Sequence, residues 1–233
     1  MRTVEAALEG LFRAEGVSLF GFADLRALPI EQRDGFDYGI SIALSLDKNV
    51  ISGIADGPTH AYYENYDHLN ARLDALALKT EEQLKDLGFR AQANTRERIN
   101  CIEEQLFTKL PHKTVATRAG LGWIGKCALL VTQGYGSAVR LTSVLTNAHL
   151  NCADPIDESY CDECTNCADV CPANAVSGKL WYAGLPREEF WDASACRNAA
   201  RTRSWSNLHE QISLCGLCIL HCPYTQAWLR RSM

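Results

Sequence analysis

The spacing Cys161-Asp-Glu-Cys164-Thr-Asn-Cys167-Ala-Asp-Val-Cys171-Pro172, followed by Cys196 and by Cys215-Gly-Leu-Cys218-Ile-Leu-His-Cys222-Pro223, constrains this chain more than any other feature. A C-x-x-C-x-x-C-x-x-x-C-P run is a ligand pattern of 4Fe-4S centres, and in paired runs the fourth cysteine of each goes to the cluster of the other half. That rule gives Cys161, Cys164, Cys167 and Cys222 to one cluster, and Cys196, Cys215, Cys218 and Cys171 to the other. Structural zinc wants four ligands in two pairs, which leaves the third cysteine and the Cys-Pro of each half unexplained. Disulfides fit less well still. Two neighbouring clusters make a path for single electrons, so another part of the chain is expected to receive them.

The chain has 233 residues, 47% of them hydrophobic, enough to bury a core in one large domain or two smaller ones. Its net charge of −5 gives no strong overall attraction to nucleic acid, which leaves room for a local basic patch. The N-terminus MRTVEAALEGLFRAEG lacks the pattern of a secretory signal, and no apolar run is long enough to span a bilayer. With thiolates that must stay reduced, a cytoplasmic location and no membrane partner are expected.

Val4, Leu8, Leu11 and Phe12 recur at helical spacing up to Gly16. Val17–Ala23 and Tyr38–Leu46 read as buried strands around a polar loop, Leu25–Asp37. A long helix is expected from an N-cap at Thr59 to Leu87, with Tyr62, Tyr66, Leu69, Leu73, Leu76, Leu84 and Leu87 as its apolar stripe and Gly88 as its end. Phe89–Ala93 reads as a strand, Thr95–Lys109 as loop and helix, and His112–Ala119 as helix-compatible. Lys126–Thr132 and Ala138–Leu145 read as strands joined by a turn at Gln133–Gly136. The expected fold class is α+β: an α/β domain over residues 1–150, a polar boundary near Asn151–Glu158, and a ferredoxin-like double 4Fe-4S domain over 151–233.

A second informative stretch is Ala119-Gly120-Leu121-Gly122-Trp123-Ile124-Gly125-Lys126. It contains G-x-G-x-x-G, but the dinucleotide fingerprint needs a strand before it, a helix after it and an acid some twenty residues on. Here the order is helix then strand, and residues 141–150 hold no Asp or Glu. The Rossmann reading is rejected. Three glycines permit close backbone approach to a ligand, with Trp123 and Lys126 as a flat apolar wall and a cation; a tight structural turn explains the same residues equally well.

The segment Arg118-Ala-Gly-Leu-Gly-Trp-Ile-Gly-Lys126, followed by an apolar strand and the eight-cysteine array, resembles epoxyqueuosine reductases, cobalamin-dependent iron-sulfur enzymes related to reductive dehalogenases. Tyr66-Asp67-His68 with Arg72 resembles a family segment more loosely. The resemblance implies that the N-terminal domain is of a cobalamin-binding type and that an external donor such as ferredoxin or flavodoxin feeds electrons through both clusters to a corrinoid. It further implies a small-molecule or nucleoside-like substrate, and a corrin lined by Gly120, Gly122, Trp123, Gly125 and Lys126, with His68 as a further cofactor-binding candidate.

Two departures qualify the carry-over. The family's aspartate proton donor precedes the glycine loop, but here the segment reads Leu106-Phe-Thr-Lys-Leu-Pro111-His112-Lys113; Glu103, Glu104 and His112 are the alternatives, and no catalytic residue is assigned. The family's C-terminal helical repeats help hold tRNA, whereas this chain stops at Met233, which weakens a tRNA substrate. Of the remaining residues, Cys127 reads as a small packed side chain where the family commonly has Asn. Cys101 and Cys152 are unassigned, His221 is expected to tune or shield a cluster, and Tyr62-Tyr63 to lie on the core side of their helix.

Two functions from different classes follow. One is a cobalamin-dependent iron-sulfur reductase. The other is a ferredoxin-type electron-transfer protein that donates to a partner enzyme or corrinoid protein and has no substrate of its own. Replacing Gly122 with a bulky residue is expected to abolish corrinoid binding under the first and leave cofactor content untouched under the second.

Overall fold

A computed structural model describes residues 3–99, 101–102 and 106–231, with the side chains of Cys101 and Ile102 outside the description. The chain packs into two compact units, neither continuous in sequence. One comprises residues 1–44, 69–121 and 140–156; the other comprises 45–68, 122–139 and 157–233.

The first unit is built on a four-stranded sheet in the order Leu19–Asp24, Tyr38–Ser45, Val139–Thr146, Ala91–Ala93. The first pair is antiparallel, with Leu19 opposite Ala43 and Asp24 opposite Tyr38. Tyr38–Ser45 is buried at every position but the last, as its near-continuous apolar sequence requires. The helix Val4–Ala14 starts where the Thr3 side chain accepts a hydrogen bond from the Ala6 N–H, and Gly16 beyond its end takes φ 66°. Ala23, Leu25, Phe36, Leu110, Val115, Ala119 and Leu145 form a core cluster of this unit.

The long helix His60–Asp86 is capped by the Thr59 hydroxyl, which accepts from the Tyr62 N–H, and Gly88 beyond its end has φ 89°. Tyr62, Leu69, Leu73, Leu76 and Leu84 are buried, whereas Leu87 is exposed because the helix has already ended. No described helix is long and apolar enough to cross a membrane.

One expected strand is largely a turn. Only Leu130–Val131 of Lys126–Thr132 is extended, and it pairs with Trp123–Ile124. Between them the chain reverses: Ala128 adopts φ 61°, the Gly125 N–H donates to Leu129 O and the Ala128 N–H to Gly125 O. Apolar composition there reflects burial, not extension. The turn at Gln133–Gly136 is present, closed by reciprocal backbone bonds between Thr132 and Gly136. The segments on its two sides enter different sheets.

The second unit is mostly short helices and turns. Asp192 caps the helix Ala193–Leu208 by accepting from the Ala195 N–H, and His209 ends it at φ 57°. The buried Ser204 hydroxyl donates to Leu214 O, which fixes the chain just before Cys215. Helix Pro223–Arg230 begins with Cys222 as its N-cap residue and proline in its first turn, where a missing N–H costs nothing.

Candidate functional site

The cysteine ladder is arranged by turns too short for side chains to wander. The Cys164 N–H donates to Cys161 O, and the Cys171 N–H to Ala168 O at the end of the helical turn Asn166–Asp169. Cys222 sits where a helix begins, so its sulfur receives the backbone N–H groups of Tyr224 and Thr225. Cys161, Cys164, Cys167, Cys218 and Cys222 line one cavity of about 40 Å³, with Gly125, Lys126, Cys127, Val131, Pro223 and Tyr224. Cys171, Cys196 and Cys215 lie near enough to one another for the charges of Cys171 and Cys215 to act on Cys196. The Cys171 sulfur accepts the Ala175 N–H at 3.3 Å.

The donor set suits iron-sulfur clusters. Burial pushes the Cys222 thiol up, and pushes Cys196 up to about 11 with the negative sulfurs of Cys171 and Cys215 adding to it. Such crowding of ionisable sulfur is unfavourable until a cation deprotonates and binds it. Among the described residues, no three His, Cys, Asp or Glu side chains converge on a single-ion site. Sulfurs spread around a cavity match the reach of a four-iron cube better than a zinc ion bound at about 2.3 Å.

The glycine stretch serves this array. Trp123 Nε1 donates to Cys161 Sγ at 3.4 Å, and its ring lies 5.0 Å from Tyr160 and 4.9 Å from Tyr224. Trp123 is thus buried, because three aromatic rings close on one another. Lys126 is buried, with its ammonium satisfied by Asp162 O at 2.7 Å and Cys164 O at 2.9 Å. A buried cation survives on such partners, and here it stands beside sulfurs that become anionic ligands. Gly122 is forced by packing: a Cβ there would lie 2.1 Å from Val131 O. At Gly125 it would meet the Val131 side chain at 2.8 Å. Gly120 belongs to the other unit, at φ 67° and against Asp154 O.

His68 is exposed on the long helix, and Arg72 donates to Glu15 O. Tyr62 is buried and Tyr63 half-buried. His221 offers its carbonyl to Asn166 Nδ2 at 3.2 Å. The Cys152 thiol bonds to Leu150 O and is pushed up to about 11 by burial. Sequence reasoning missed Tyr160 and Tyr224 as partners of Trp123, and Cys127 as part of the thiol-lined cavity. Only the position of Cys127 next to Lys126 hinted at the latter.

Of the proposed proton donors, Glu103 and Glu104 lie outside the described residues. His112 Nδ1 pairs with Ser143 Oγ at 2.9 Å. Burial, then the Arg140 guanidinium, lower its pKa to about 4, against a smaller opposing effect of Asp74. It is therefore neutral at pH 7, which tells against His112 among the three alternatives named as proton donor. A lowered pKa means the unfolded chain takes up the proton first, so this group's contribution is intact above about pH 6.5 and is lost as pH falls towards 4. Between pH 7 and 5 the loss is about 2 kcal/mol. His112→Gln is expected to remove that part of the pH dependence of urea unfolding; parallel profiles for variant and wild type would show the ring titrating normally.

Residues 160–225 match the 4Fe-4S double cluster binding domain family. Curated relatives named epoxyqueuosine reductase include one from Synechocystis sp., 30% identical over 158 residues (68% of this chain, 50% of the relative). Another, from Lactococcus garvieae, is 34% identical over 171 residues (70% of this chain, 42% of the relative). The chain thus spans about half the length of the curated relatives it matches. Among solved structures, a reductive dehalogenase described with a mechanism for B12-dependent dehalogenation superposes with a TM-score of 0.74 at 18% identity, covering 98% of this chain and 32% of that one. An epoxyqueuosine reductase solved with an epoxyqueuosine-modified tRNA-Tyr stem loop gives 0.62 at 22% identity, covering 96% and 65%.

Fold and cysteine array together define a double 4Fe-4S protein on the α+β scaffold that reductive dehalogenases and epoxyqueuosine reductases share. Within that class, the chain is similar to the epoxyqueuosine reductases over about half of their length.

Proposed function

We propose that this protein is a cobalamin-dependent iron-sulfur reductase resembling epoxyqueuosine reductase, with two 4Fe-4S clusters fed by an external donor such as ferredoxin or flavodoxin. The observation that carries the iron-sulfur part of the reading is the thiol-lined cavity bordered by Gly125 and Lys126; similarity to epoxyqueuosine reductases supports the rest. Cys161, Cys164, Cys167 and Cys222 hold one cluster, and Cys171, Cys196, Cys215 and Cys218 the other. Trp123 and Lys126 stabilise the first by hydrogen-bonding its sulfur and the carbonyl of its ligand segment.

A corrinoid supplies low-valent cobalt, a strong nucleophile or electron source. Residues 1 to about 150 are proposed to hold it. The thiol-lined cavity is too small for a tetrapyrrole and is no part of that site. A small-molecule or nucleoside-like substrate is proposed; tRNA is the weaker candidate, supported by a relative solved with a modified tRNA stem loop, and the need for reduced thiolates supports a cytoplasmic location.

One observation favours the second reading, an electron-transfer protein without its own substrate: the side chains of Trp123 and Lys126 turn to the cysteine segment. Anaerobic purification with added cobalamin separates the two. About one corrinoid retained per chain, with a spectrum that changes on reduction, is expected; a cluster-loaded chain that never retains corrinoid would overturn the reductase reading.

A further inference from the structure

Cys127 is a ninth cysteine of the cluster region, and small size alone does not account for it. It is 7% exposed and shares the cavity of Cys161, Cys164, Cys167, Cys218 and Cys222. Its thiol lines that cavity together with the sulfurs of Cys167 and Cys218, both close enough to act on it. The turn that holds it is fixed on both sides, by Gly125 N–H to Leu129 O and Ala128 N–H to Gly125 O, each 2.8 Å. Under the ligand assignment above, on which this inference rests, Cys167 and Cys218 belong to different clusters. The side chain therefore stands between one ligand of each.

We propose that Cys127 is a positioning residue that donates its S–H to a ligating sulfur between the two clusters and so sets their relative reduction potentials. A thiol is a weak donor, but it works here without competing water. Hydrogen bonds to cluster sulfurs are one of the protein's levers on potential. Donation draws negative charge from the sulfur, and the reduced cluster, carrying one more electron, gains more from it. The bond therefore raises the potential of the cluster that receives it. The reaction concerned is one-electron reduction of a cluster by an external reductant; Cys127 itself is neither oxidised nor deprotonated.

The test is an EPR-monitored redox titration of the anaerobically reconstituted full chain with dithionite and mediators, alongside iron analysis. Wild type should hold about eight iron atoms per chain; if it does not, the cluster assignment itself fails and the inference goes with it. Cys127→Ala should keep that iron but make one cluster at least threefold harder to reduce, about 28 mV at 59 mV per tenfold. Cys127→Ser, whose hydroxyl also donates, should restore most of the shift. Should the alanine variant not hold its clusters, Cys127→Val fills the volume without a donor and is read in the same way; retention by the serine variant alone also supports the donor role. Unchanged potentials in a donor-free variant with full iron, or loss of iron from all three variants, would overturn it.

Discussion

Cys222→Ala is expected to lower the iron content from about eight to about four atoms per chain and to abolish one of two EPR signals, leaving the other intact. Cys222 is remote in sequence from Cys161, Cys164 and Cys167, yet it lines their cavity and its sulfur is fixed by two backbone N–H groups. A carboxylate or water cannot take its place readily, since the residue is buried. Cys171→Ala is expected to abolish the complementary signal, because Cys171 lies with Cys196 and Cys215. Comparison with Cys164→Ala is the sharp part of the test: it should abolish the same signal as Cys222→Ala, and loss of the signal that Cys171→Ala abolishes instead would show that the fourth ligands do not cross.

Gly122→Ala should be the most damaging glycine substitution in the loop, destabilising the chain by about 3 kcal/mol. The added methyl would sit 2.1 Å from Val131 O, and that carbonyl belongs to the paired segment Leu130–Val131, so neither side can move alone. For a chain of this size the unfolding midpoint should fall by roughly 6–12 °C. Gly134→Ala, with open space around the site, should leave it unchanged. Equal midpoints for the two variants would mean that the hairpin yields. The consequence corrects the experiment suggested by sequence: a bulky residue at Gly122 breaks packing whether or not a corrinoid binds, so loss of corrinoid in that variant would not discriminate the two functions.

The cysteine runs were readable because metal ligands are set by chemistry and close spacing, and Cys161-x-x-Cys164-x-x-Cys167 needs only one turn of chain to converge. The first helix, the long helix and the two long strands were readable because each carries its own period, with Thr59 and the following glycines as punctuation. Lys126–Thr132 misled because a buried turn and a buried strand have the same apolar composition; the left-handed Ala128 that separates them leaves no trace in residue type. His112 misled for a related reason. An exposed and a buried imidazole are written alike, and only the surrounding Ser143 and Arg140 make this one neutral.

By itself, then, the sequence pointed to the cysteines that would hold iron and to the first helix and the long helix, since both are local properties of a few neighbouring residues. Tertiary structure alone decided what surrounds those atoms: that Trp123 and Lys126 turn to the cysteine segment, that Gly122 is empty for the sake of Val131, and that Cys127 shares a cavity with Cys167 and Cys218. The reason is that contacts between segments from about ten to about ninety residues apart follow from how buried surfaces close on one another, and no spacing rule encodes that closure.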